Sequence, residues 1–67
     1  MKPIPKGELL HFFRTISSGT VAHIIGCNKY VIIDRAISRA MEYVINHDIY
    51  GELNLETIAK ILKTANA

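Results

Sequence analysis

Between Lys29 and Tyr50 the chain runs KYVIIDRAISRAMEYVINHDIY, and no proline or glycine interrupts it before Gly51. At about 3.6 residues per turn, Ile33, Ile37, Ala40 and Val44 fall on one helical stripe, flanked by Ala36, Met41 and Ile45. Arg35, Arg39, Glu42 and Asn46 gather on the opposite face, with Asp34 and Ser38 at its edges. The spacing predicts a helix from about Lys29 to His47, with Gly51 suited to the left-handed turn that closes it. At 1.5 Å per residue such a helix is roughly 28 Å long, the width of a small domain. Every other segment is short enough to need it as a packing partner.

The flanking segments read as helices of their own. Glu8 to Ser17 places Leu9, Phe12, Phe13 and Ile16 at i, i+3, i+4 and i+7, with Leu10 beside them. Glu8 near its start and Arg14 towards its end both favour the helix dipole, and Ser17, Ser18 and Gly19 break it. Residues 1–7, with Pro3, Pro5, Lys2 and Lys6, are expected to form an extended basic arm. Thr20 to Gly26 admits two readings. One is a two-turn helix capped by Thr20 or Ser18 and ended by Gly26. The other is a β-hairpin that pairs TVAHII with YVII across GCNK. After a linker over 48–54, Asn54 caps LETIAKILKTA, whose apolar face is Leu55, Ile58, Ala59, Leu62 and Ala65, with Ile61 alongside. The expected fold is all-α: one small domain over 1–67, a bundle of three to four helices around one long central helix, with a helix-turn-helix as a candidate component.

Sixty-seven residues bury a modest fraction of their surface, so a chain this short usually relies on a disulfide, a metal or a second copy. Cys27 is the lone cysteine, which excludes an internal disulfide and any CxxC zinc framework. With 49% apolar residues the remaining option is association, and a homodimer is expected. The start, MKPIPKGE, lacks the apolar core of a signal peptide, and the longest uncharged run, 15–28, is too short and polar to span a bilayer. A lone thiol suits a reducing compartment, so a cytoplasmic protein with no membrane partner is expected. No nucleophile is paired with a base, no glycine-rich phosphate loop is present, and so small a fold has little room for a deep pocket. His23 and Cys27, spaced i and i+4, supply two metal ligands at most, and satisfied structural histidines at 11, 23 and 47 are the simpler reading. No enzyme, cofactor, metal or small-molecule substrate is expected.

Two stretches carry family resemblances. TVAHIIGCNKYVII, Thr20 to Ile33, resembles the helix-turn-helix of bacterial and phage regulators. Ala22 stands four before the turn glycine Gly26, Ile25 and Cys27 flank that glycine, and Ile32 lies six after it. A small residue there lets two helices approach closely, and glycine allows the sharp turn. The pattern asks for a further apolar residue where this chain has Arg35, whereas the long helix's own periodicity points Ile33 and Ala36 inwards. A turn longer by one residue reconciles the two. The second string, AISRAMEYVINHDIYGELNLETIAKIL, looks like the opening of an AraC-type DNA-binding domain. Ala40, Tyr43, Val44, Leu53, Leu55, Glu56, Ile58, Ala59 and Leu62 match its AxxYI and LxLExIAxxL elements. That family's next element, the recognition helix, is absent, so what this resemblance implies is a scaffold that pairs with another protein.

The first resemblance implies a DNA-binding transcription regulator. Asn28, Lys29 and Tyr30 would open the recognition helix, and Arg35 and Arg39 would hold phosphates. A net charge of +2 is mild for such a role, and Asp34 opposes it. Arg35 or Arg39 paired with Glu42 on a solvated face is the plainer reading of the arginines. The alternative function is an interaction module, an antirepressor or adaptor that docks on a regulatory protein through apolar helix faces. Val31 and Ile32 would then make the contact, since Val31 is an apolar residue on the polar side of the long helix.

Overall fold

A computed structural model describes residues 5–51 and 53–67 of the protein. Among these residues the helices follow in the order α1 Lys6–Thr15, α2 Ser18–Ile25, α3 Tyr30–Asn46 and α4 Leu55–Ala65. There is no strand among the described residues, so the hairpin over TVAHII and YVII is not formed. No helix there is long and apolar enough to cross a membrane.

The first helix starts earlier than expected, so Lys6 and Gly7 are not part of an extended arm. Proline restricts its own φ and the residue before it, but nothing after it. Pro5 therefore caps α1, its carbonyl accepting from the Glu8 and Leu9 amides at 3.0 and 3.3 Å. The remainder of the arm, residues 1–4, lies outside the described residues. Leu9 and Phe13 are fully buried, with Phe12 edge-on to Phe13 at a centroid distance of 6.2 Å.

The second helix is capped by Ser17, whose hydroxyl accepts from the Thr20 amide at 3.5 Å, so neither Ser18 nor Thr20 is the cap. Gly19 lies inside α2 rather than breaking the chain. Gly26 ends the helix at φ 73°, and the Gly26 and Cys27 amides both donate to the Ala22 carbonyl. Only a residue at ease in the left-handed region closes a helix this way.

The 17-residue α3 packs against all three other helices, and α2 also meets α4. Its buried residues are Ile33, Ala36, Ala40 and Val44, while Ile45, expected on the flank of the stripe, is half exposed. Its end is a Schellman turn. The Asp48 amide donates to Ile45 and the Ile49 amide to Val44, with Asp48 itself at φ 48° and Ile49 packed against the core. Gly51 is therefore not the left-handed residue that closes the helix, because Asp48 has already turned the chain three residues earlier. An aspartate tolerates that region better than most side chains.

Asn54 caps α4 by accepting from the Thr57 amide at 2.8 Å, and Ile58, Ile61 and Leu62 are buried against the bundle. Leu55, expected on that apolar face, is 65% exposed. At the first position of the helix it has a helical turn on one side only, and no described element packs over it. Past the other end, the Asn66 amide donates to Leu62 and across to the Ala36 carbonyl at 3.2 Å, tying the end of α4 to the middle of α3.

Candidate nucleic-acid interface

The segment α2, Gly26 to Lys29, α3 sets the orientation of the outer face of α3. Because α3 begins at Tyr30 with Lys29 as its cap, the turn spans four residues. The inward positions are then Ile33 and Ala36, at 3% and 2% exposure, while Ile32 is 42% exposed and Arg35 lies at the surface. This is the register of the long helix's own periodicity, and not the one in which Ile32 and residue 35 point inwards. Ala22 is half-buried against the core, and its neighbour Val21 is the fully buried residue of α2.

Asn28, Lys29, Tyr30, Arg35 and Arg39 are all exposed. They do not form one surface. At about 100° per residue, Arg35 and Arg39 stand some 40° apart, one turn along the same stripe as Ile32. Tyr30 lies about 140° around the helix from Arg35 and about 180° from Arg39. Val31, 65% exposed, stands about 180° from the fully buried Ala40, on the outermost line of the helix.

The arginines have no carboxylate within ion-pair distance among the described residues, so the expected pairs with Glu42 are not formed. Lys29 is likewise unpaired there, and its side chain makes no capping bond to α3. The first turn of α3 carries no acidic residue. The positive end of its dipole is thus left to solvent or to a ligand. Opposing charge is close by: Asp34, Arg35, Ser38 and Arg39 line one shallow hollow.

A groove of about 310 Å³ runs between α2, α3 and the end of α4, lined by Ile25, Cys27, Ile32, Arg35, Ala36, Arg39 and Asn66. Sequence reasoning identified the arginines and Ile32 but not the groove. Ile25 and Asn66 reach it only because α2 and α4 flank α3 at this height, and helical spacing carries no signal of that. A second groove, about 410 Å³, lies between the end of α3 and α4 and includes Tyr43, Ile49, Glu56 and Lys60.

His23 and Cys27 do not share a helical face, because the chain leaves the helix at Gly26. No group of three or more His, Cys, Asp or Glu could hold a metal among the described residues. His47 stacks on the Tyr43 ring at 4.1 Å and its Nδ1 lies 3.1 Å from the Tyr43 carbonyl. Comparison of the chain with protein-family models, with curated proteins and with solved structures finds no match.

Proposed function

We propose that this protein is a small DNA-binding transcription regulator of bacterial or phage type, acting in the cytoplasm, whose α2–α3 unit lays the start of α3 against duplex DNA. The observation that carries the reading is the state of its cations. Lys29 is exposed at a helix start with no side-chain cap, Arg35 and Arg39 are exposed further along the same helix, and no carboxylate among the described residues forms an ion pair with any of them. Lys29 and the two arginines contact phosphates, and Asn28 is suited to an adenine edge. Tyr30, on the far side of α3 from the arginines, reaches only a neighbouring part of the duplex. Asp34 and Glu42 on the same outer surface keep the affinity modest, and the cation–phosphate contacts make it salt-dependent.

A titration against random-sequence duplex at two salt concentrations tests this. Lys29→Ala and Arg39→Ala should each lower affinity and flatten the slope of log K against log salt by about 1. Affinity that ignores salt, or a slope unchanged in both variants, removes the reading.

One observation favours a second reading, the adaptor that docks on a regulatory protein. Tyr30, Val31 and Ile32 are three consecutive exposed apolar side chains at the head of α3. Under that reading Val31→Glu abolishes partner capture and Lys29→Ala is silent. The opposite pattern leaves DNA binding alone.

A further inference from the structure

Two exposed features of this chain complement each other and lie too far apart to meet within one copy. The first is the groove between α2, α3 and the end of α4. Its floor is apolar, from Ile25, Ile32 and Ala36, and Arg35, Arg39 and Asn66 edge it, with no carboxylate lining it among the described residues. Both arginines lack an ion-pair partner there. Such a groove suits an apolar side chain with a carboxylate beside it. The second feature is the start of α4, where Leu53 and Leu55 are exposed and Glu56, also exposed, has no ion-pair partner among the described residues.

The bond from Asn66 to the Ala36 carbonyl fixes the end of α4 at the groove. Leu55 begins the same helix, ten residues before Ala65 and so about 15 Å away along the axis. No chain can seat its own Leu55 in its own groove. A second copy can. Because groove and knob stand at opposite ends of one helix, a twofold axis between two copies lets each fill the other's groove at once, which closes the assembly at two.

We propose that the protein forms a twofold dimer in which Leu55 of each copy seats over Ile25, Ile32 and Ala36 of the other, with Glu56 against Arg35 and Arg39. The proposal goes beyond the DNA reading and bears on it. The contact covers two of the three cations assigned to phosphate, so DNA and the second copy compete for them.

Sedimentation equilibrium of the full chain without DNA tests this independently of the DNA reading. At tens of micromolar, about the usual range for such association, the unmodified chain should be dimeric. Glu56→Arg, which sets like charge against both arginines, should weaken association about tenfold or more, and Arg39→Glu, which leaves Arg35 as the remaining cation of the groove, should weaken it to a lesser degree. An equimolar mixture of the two variants should associate more tightly than either alone, because position 56 of each copy then meets the opposite charge at position 39 of the other. Leu55→Ser, at an exposed position that the fold tolerates, should weaken association without a charge change. Circular dichroism establishes that each variant remains helical, and Leu55→Ser alone decides the matter if a charge variant unfolds. A monomeric unmodified chain overturns the proposal, as does a dimer indifferent to the single variants or a mixture as weak as its components. A monomer that binds duplex with a steep salt slope overturns the dimer and leaves the DNA reading standing. A dimer with no affinity for duplex does the reverse.

Discussion

Ala40 shows how much one side chain can fix. It is fully buried on α3, the helix that meets every other one, and its methyl group sets how closely a neighbour can approach. Ala40→Leu should overpack that contact and cost about 1–3 kcal/mol. In a domain this small that lowers the thermal midpoint by several degrees, and an unchanged midpoint would mean that Ala40 does not sit at a close contact. Gly26 is constrained by its backbone. At φ 73° it closes α2, and an added Cβ meets nothing within 4 Å, so any penalty is conformational and not steric crowding. Gly26→Ala should cost about 1 kcal/mol in thermal unfolding and Gly26→Asn less, since asparagine visits the left-handed region more readily.

Between elements, the contact that sequence spacing does not show is Lys6 to Asp48, 2.6 Å apart across 42 positions. It pins the start of α1 to the turn after α3, with the lysine ammonium 5.9 Å from the Tyr50 ring centre. The hydrogen bond from Lys6, and then its charge, hold the Asp48 carboxyl below the ordinary aspartate value. The same hydrogen bond raises Lys6 above the ordinary lysine value. For Asp48 the stabilisation is present above the ordinary value and is lost as pH falls through the lowered one. For Lys6 it is present below the ordinary value and is lost as pH rises through the raised one. The pair lies at the surface, with Asp48 exposed and Lys6 partly so, and the contribution is small. Asp48→Asn keeps a residue that accepts the left-handed turn while removing the charge. Its thermal midpoint should lie slightly below that of the unmodified protein at neutral pH, and the two should converge in acid as pH falls through the lowered Asp48 value. A difference that persists in acid would locate the effect in the turn instead of the ion pair.

Across the fold, ten buried apolar residues form the core among the described residues, and none of the buried residues there is polar or charged. Seven large apolar side chains among the described residues remain exposed, including Tyr30, Val31, Ile45, Tyr50 and Leu55. A small core beside so much uncovered apolar surface makes stability sensitive to association. If two copies bind in the folded state, the thermal midpoint rises with protein concentration by mass action. Scanning over a hundredfold range of concentration checks this, and a constant midpoint counts against the dimer.

Helices α1, α3 and α4 are legible in the sequence because a helix's inward stripe is an intrachain property, whereas the short apolar run of α2 fits a helix or a strand. Spacing alone identified Ile33, Ala36, Ala40 and Val44 as inward or flanking, and Asn54 as the cap of α4, since three-residue reach and 3.6-residue periodicity are local facts. The boundary errors have local causes as well. Pro5 restricts what precedes it and not Lys6, and Asp48 takes the left-handed turn before Gly51 can. The tertiary structure decided what no periodicity carries: that Leu55 and Ile45 stay uncovered, that Lys6 finds Asp48, and that Asn66 reaches Ala36. The candidate site divides along the same line. That Arg35 and Arg39 share an outer stripe follows from their four-residue spacing. That this stripe borders an apolar groove floored by Ile25 depends on how α2 and α4 sit against α3, and such placement is fixed by packing between residues distant in sequence.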